Sequence, residues 1–450
     1  MSWFSIVRLG GVQAAIGAMV MLCTSLLNRV MVVEYAMAAA VPAGLVAWHY
    51  AVQLSRPVWG HGSDLGARRT PWIIGGMAVL ASGAMLAVTA TVSQSMLLAV
   101  LAFTLIGAGV GAAGTSLLAV LATQTRPDQR AAAAAITWIM MISGIVVTAG
   151  VAGQMLKPFS VERLVMVVCG VALAAFVVAV VSVWGVEKRT VRPEPVEGLS
   201  FSKYAGQGRA APFGEAQDRL RQAQGSGFFN AVSTMLADRE ARVFTVFVFV
   251  SMLAYSMQDM ILEPFAGLMF AMSPGESTSL SGVQHMGVLA GMILVGVGGR
   301  AFARDAGGLR SWTVAGCIGS AVALVGLALA ANAAPHWPIA ANVALLGFCN
   351  GVFAVSAIGA MMALAGAGGE DREGVRMGVW GASQAIAFGL GGLIGAVGVD
   401  AGRAMMGADA PAFALIFGIE AGIFLLAALV ALRAVAGRTG ASNQLVAGAI

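Results

Sequence analysis

Long apolar stretches alternate with short polar ones along the whole chain, and their spacing sets the architecture. Apolar runs near the ~20 residues that a helix needs to cross a bilayer fall near 10–33, 39–59, 71–92, 95–121, 133–156 and 162–184. A second set falls near 243–270, 279–299, 311–331, 338–364, 375–398 and 411–432. The pattern reads six spans, a gap and six spans. It divides the chain into a helical bundle over 1–184, a linker over 185–240, a second helical bundle over 241–437 and a tail over 438–450. The linker carries Pro193, Pro195 and Pro212 among many basic residues, so its first half reads as solvated chain. In its second half Phe228, Phe229, Val232, Met235 and Leu236 recur at three- and four-residue steps, which predicts a short amphipathic helix on the membrane surface.

Composition agrees with a polytopic helical membrane protein. Of 450 residues 59% are hydrophobic and 10% charged, against about 25% charged in a soluble domain. The net charge of +5 calls for no nucleic acid, because basic loops are what orientation in a bilayer demands. With an even number of spans, one side of the membrane takes all of the 26 Lys and Arg except Arg29, Lys157, Arg163 and Arg403. That bias places both termini and the linker in the cytoplasm. The first apolar run starts just after Arg8 and outlasts the roughly 7–15 residues of a signal-peptide core, so it reads as a retained span. Cys23, Cys169, Cys317 and Cys349 lie far apart in apolar runs, without the paired spacing of a metal or redox site.

The two halves resemble each other. Asn28 to Glu34 closes span one with an amide, a charge, apolar residues and Glu, and Gln258 to Pro264 repeats that order in span seven. Sequential six-span repeats joined by a cytoplasmic linker describe the major facilitator architecture, with its binding site near midplane between the halves. The polar turn RPVWGHGSDLGARRTPW, Arg56 to Trp72, is similar to the loop between spans two and three of that superfamily: Gly60, then Asp64 four residues on, then Arg68 and Arg69. It departs from the common pattern at Leu65, where a basic residue is usual, and in a second glycine displaced to Gly66.

More narrowly, LNRVMVVE, AWHYAVQLSRPVWGHGSDLGARRTPWIIGG and SMQDMILEPF together resemble the PucC/LhaA family, the bacteriochlorophyll delivery family of the major facilitator superfamily. The likeness is strongest over spans one to three, clear in span seven, and otherwise one of layout. It implies an integral-membrane assembly factor for bacterial light-harvesting complexes, binding or delivering bacteriochlorophyll to antenna polypeptides. It also implies a cytoplasmic or intracytoplasmic photosynthetic membrane, with no cofactor required beyond the pigment as ligand.

Several scarce polar residues are candidates for chemistry. Asp64, Arg68 and Arg69, with Gly60, form either a clasp in which charges hold one packing of the half or a contact for anionic lipid. Arg29 and Glu34 close span one, and Asp259 and Glu263 share a face of span seven. Spans one and seven face each other in the major facilitator arrangement, so Arg29 is expected to pair with Asp259 or Glu263, or else these charges reach outer water. Asn28 and Gln258 accompany them. Glu420 stands alone midway along span twelve, suited to a proton-coupled step or to an interhelical hydrogen bond.

His49, with Gln53 one turn on, sits mid-span and reads either as an axial ligand for the magnesium of a chlorin or as an interhelical hydrogen-bonding residue. His285 in the outer third of span eight carries the same two readings. Asn350 and Gln384 read as interhelical bonds. Gly109, Gly111 and Gly114 spell G-x-G-x-x-G but lack a preceding strand, so they read as helix packing rather than a dinucleotide site. There is no P-loop, no G-x-S-x-G and no cluster of metal ligands, which argues against an enzyme. The competing function is a secondary transporter of a small solute or porphyrin, proton-coupled through Arg29, Asp259, Glu263 and Glu420.

Overall fold

The computed structural model describes residues 1–56, 59, 68–125, 130–187, 237, 239–302, 306–366 and 373–434. Nearly all of the linker, its expected amphipathic helix, Gly60, Asp64 and the tail lie outside the described residues.

Among the described residues twelve helices of 14 residues or more follow one another: α1 (Trp3–Glu34), α2 (Ala40–Gln53), α3 (Thr70–Ser93), α4 (Met96–Gln124), α5 (Arg130–Met155), α6 (Val161–Val183), α7 (Arg239–Phe270), α8 (Pro274–Phe302), α9 (Ala306–Ala333), α10 (Ile339–Gly366), α11 (Glu373–Met406) and α12 (Asp409–Ala434). Eleven are long and apolar enough to span a membrane. The exception, α2, is expected to span over 39–59 but tightens after Gln53, where Leu54 and Ser55 donate back to Ala51 and Val52, three residues earlier. At the other extreme α1 begins seven residues before the expected span, because the Ser2 hydroxyl accepts from the Ser5 N–H at 3.3 Å and caps it.

The packing repeats between halves. In the first, α1 packs on α5 and α6, α4 on α2 and α3, and α3 on α6; in the second, α7 packs on α11 and α12, α10 on α8 and α9, and α9 on α12. Each half has its own apolar core. The halves meet through α1 on α7 and through two seams related by the same repeat, α2 on α11 and α5 on α8.

Lipid is as apolar as leucine, so close approach of small residues, not burial from water, holds such helices together. A Cβ on Gly109 of α4 would lie 2.6 Å from the Leu80 N of α3, which is the packing role the glycine pattern predicts. At the seams the close approaches run to one end. Gly153 of α5 faces Gly275 and Ser279 of α8, and the Asp400 carboxylate of α11 accepts from the Ala39 and Ala40 N–H groups at 3.0 and 2.7 Å. A carboxylate there satisfies donors that the start of α2 cannot satisfy itself.

Candidate functional site

The scarce polar side chains collect where the two halves meet, and α1 is shaped for it. Two π-helical stretches, Leu22–Leu26 and Val30–Glu34, flank a single α-turn, and π geometry places residues five apart on one face. Arg29 and Glu34 are five apart, and they form an ion pair. The guanidinium also donates to the Met272 carbonyl beyond the end of α7 and lies over Gly267, where a Cβ would come within 3.1 Å of Arg29 Nη2. The partner expected from the repeat, Asp259 or Glu263, is therefore replaced by Glu34, because the wider turn brings the carboxylate of α1 itself into reach.

Asn28 has a different task. Pro264 stands inside α7 and has no N–H to give to the carbonyl four residues before it. That carbonyl is Met260 O, and the Asn28 amide donates to it at 2.8 Å. One half thus repairs a gap in the other half's helix. Replacing Asn28 with Ala leaves a buried carbonyl unpaired and is expected to cost about 1–3 kcal/mol. In a Pro264→Ala background, where the helix supplies its own N–H, thermal unfolding in detergent should show most of that loss gone; an equal loss in both backgrounds would sink this account.

Glu263 is 3% exposed. It faces Ser277 and Ser281 of α8 and lies within the field of Arg29, yet neither carboxylate oxygen has a partner at hydrogen-bond distance. Gln258 and Glu420 are both 0% exposed with unpaired side-chain oxygens. Asp259 lines an open recess of about 230 Å³ between α2, α7 and α11, together with Tyr50, Ser256 and Phe388. Aromatic rings run from this recess into the core of the second half: Tyr50 stacks on Phe388 at 5.9 Å, Phe388 meets Tyr255 edge-on at 5.8 Å, and Tyr255 continues to the buried Phe353 and Phe424. Sequence reasoning misses this ring path, since a lone aromatic in an apolar span looks like any other core residue.

The two histidines differ in what they present. His49 is 1% exposed. Its Nε2 accepts from the Gln53 amide at 2.8 Å, and the Gln53 orientation is fixed because its oxygen accepts from Arg56. The remaining Nδ1 is buried without a partner. Gln53 therefore occupies the nitrogen that a ligand would need. His285 is half-buried, and its Nδ1 lies 2.9 Å from the Ser281 carbonyl. A carbonyl only accepts, so the proton sits on Nδ1 and the Nε2 lone pair is free.

In the turn before α3, Arg68 is exposed. Arg69 reaches Ala119 O at 3.2 Å and the Thr123 hydroxyl at 3.0 Å on α4. The carboxylate found here is Glu187, just past α6, which accepts from the Arg69 N–H at 2.7 Å and from both the N–H and hydroxyl of Thr70. It caps α3, a role invisible in sequence because more than a hundred residues separate the partners. Asn350 accepts from Ser320 at 2.8 Å, an interhelical bond of the kind expected. Among the described residues no group of three or more His, Cys, Asp or Glu could hold a metal ion.

Comparison with known proteins gives the fold and the family. A bacterial homolog to the human lysosomal transporter Spinster, solved in an inward-facing and unoccupied conformation, superposes with a TM-score of 0.63 at 13% identity, covering 97% of this chain and 96% of that one. This is the major facilitator fold. Among curated proteins, the bacteriochlorophyll synthase 44.5 kDa chain of Rhodobacter capsulatus is 48% identical, with 98% of this chain and 97% of that protein covered. Protein PucC of Rhodobacter capsulatus is 28% identical over 94% of this chain and 90% of its own length. The family model described as PUCC protein matches residues 26–439, and the chain belongs to the PucC family.

Proposed function

We propose that this protein is a non-enzymatic, multi-pass assembly factor that holds bacteriochlorophyll and passes it to light-harvesting antenna polypeptides, with both termini and the 185–240 segment in the cytoplasm. The observation that carries the reading is the family match over residues 26–439, joined to a relative named bacteriochlorophyll synthase 44.5 kDa chain. That name invokes synthesis, but three of the polar groups the sequence singles out are given to structure. Asn28 repairs a helix, Arg29 pairs with Glu34 and spans two helices, and His49 is sealed by Gln53.

The pigment does not fit the recess at Asp259. Its ~230 Å³ already includes space open to the outside, so the enclosed part is smaller still, and a tetrapyrrole is larger than the drug-sized ligands that need roughly 300–1,000 Å³. The open nitrogen of His285 and the partly exposed apolar side chains near it are a better match in size and chemistry. The second reading, a proton-coupled transporter, is favoured by one observation: Glu420 of α12 lies fully buried within the field of the Asp259 carboxylate of α7, and both Glu420 oxygens are unpaired.

Purification in mild detergent from a pigment-making host, followed by near-infrared absorption, separates the two readings. Bacteriochlorophyll bands that travel with the protein, and antenna polypeptides recovered with it, are the expected result. A colourless protein together with proton-driven uptake that Glu420→Gln abolishes would overturn it in favour of transport.

A further inference from the structure

The structure points to His285 as the residue that offers an axial ligand to the central magnesium of the chlorin, with the seam between α5 and α8 as the wall for its ring. This rests on the pigment-holding reading above and deepens it by naming the contact.

Three observations lead there. First, the bond from Nδ1–H to Ser281 O at 2.9 Å fixes both the tautomer and the direction of the ring. Metal-ligating histidines are held in the same way, the other nitrogen being tied to a carbonyl or carboxylate. Second, Nε2 makes no hydrogen bond and is not among the fully enclosed, partnerless polar atoms, so its lone pair is left for a ligand. His49 offers neither nitrogen, as one is bonded to Gln53 and the other is enclosed.

Third, the surroundings suit a flat apolar ring. On α8, His285 falls between two contacts with α5: Gly282 against Ala149, and Val288 and Met292 against Ile142. Trp138, Ile139, Met141, Ile145 and Leu289 border that second contact and are only partly buried. The seam is therefore an apolar surface left partly open beside a nitrogen with a free lone pair. Because α5 and α8 belong to different halves, a ring lying there would touch both, and movement of one half against the other would expose or cover it.

The test compares two pigments that differ only at the ring centre. Purified protein in detergent is titrated with bacteriochlorophyll a and, separately, with its metal-free counterpart bacteriopheophytin a, and absorption bands and dissociation constants are read for wild type, His285→Ala and His336→Ala. His336 lies in an exposed turn and controls for handling. Wild type and His336→Ala should bind bacteriochlorophyll about tenfold more tightly than bacteriopheophytin. In His285→Ala the bacteriochlorophyll affinity should fall to the bacteriopheophytin level, with a shifted long-wavelength band, while bacteriopheophytin binding holds.

If wild type binds both pigments equally, or if His285→Ala keeps the preference for magnesium, this assignment is wrong although pigment holding survives. If wild type binds neither, pigment holding and the ligand fall together. The wild-type comparison stands even where the variant is poorly produced.

Discussion

Gly351→Leu is expected to yield little monodisperse protein and to destabilise what remains by about 3 kcal/mol or more. The reason is a pair of facing small-residue motifs. On α8, Gly287 and Gly291 are four apart; on α10, Gly347 and Gly351 are four apart. Each sits against the backbone of the other helix. A Cβ on Gly351 would lie 2.8 Å from the Val288 carbonyl carbon and 2.9 Å from its Cα, while one on Gly291 would lie 2.9 Å from the Val352 N. Side chains can rotate away from an intruder, but backbone atoms of two packed helices move only if the helices separate. In hydrocarbon no water-driven force closes such a gap again, since helix association there depends on contact itself. Gly296 is on α8, the helix that Gly351 meets, and a Cβ added there would meet nothing within 4 Å. It is the control: Gly296→Ala should shift thermal stability by no more than about 0.5 kcal/mol. Size-exclusion profiles and melting curves in detergent read both. A Gly351→Leu protein as stable as the Gly296 control would mean that the two helices are not in backbone contact.

Much of the fold is legible in the sequence because a bilayer imposes its own length and leaves few alternatives. Eleven of the twelve expected spans coincide with helices that meet the length and apolarity of a crossing, and the layout of six and six follows from counting. The spans themselves say little about which way a residue points. A helix apolar all round has no preferred face, so periodicity cannot aim His49 or His285. The sequence draws attention first to His49, mid-span with Gln53 one turn away; it is that same Gln53, bonded to Nε2, that removes it as an open ligand here. For His285 the deciding partner is a backbone carbonyl, Ser281 O, which no residue type announces.

Other partners are hidden by distance along the chain. Asp400 caps α2 from 360 residues away and Glu187 caps α3 from 117 away. One such link had a signal that could have been used. Pro264 inside an apolar span marks a carbonyl in need of a donor, and Asn28, which the repeat aligns with Gln258 two residues before that carbonyl, is a donor without another evident purpose. The π-helical turns of α1 left no comparable trace, and they decide where Arg29 goes.

Arg29→Met should be the most damaging of the charge substitutions, costing about 3 kcal/mol, and Glu263→Gln should recover a good part of it. Arg29 is 2% exposed, whereas its ion-pair partner Glu34 is 36% exposed. A partner so open to water contributes little, roughly 0–1 kcal/mol, so Glu34→Gln alone should be mild. The cost of losing the guanidinium lies elsewhere. It holds the Met272 carbonyl at the turn into α8, and it is the cation nearest to Glu263, whose two oxygens are otherwise unpaired inside the protein. Without Arg29 the carboxylate of Glu263 has no positive charge to offset its burial, and burying an uncompensated charge costs far more than losing a surface pair. Glu263→Gln removes that charge while keeping the shape. In a double-mutant cycle read by thermal unfolding, Arg29→Met should therefore cost at least about 1 kcal/mol less in the Glu263→Gln background than in wild type. Identical losses in the two backgrounds would show that Arg29 acts through Met272 and Glu34 alone, and that the buried carboxylate between the halves is stabilised by something other than this arginine.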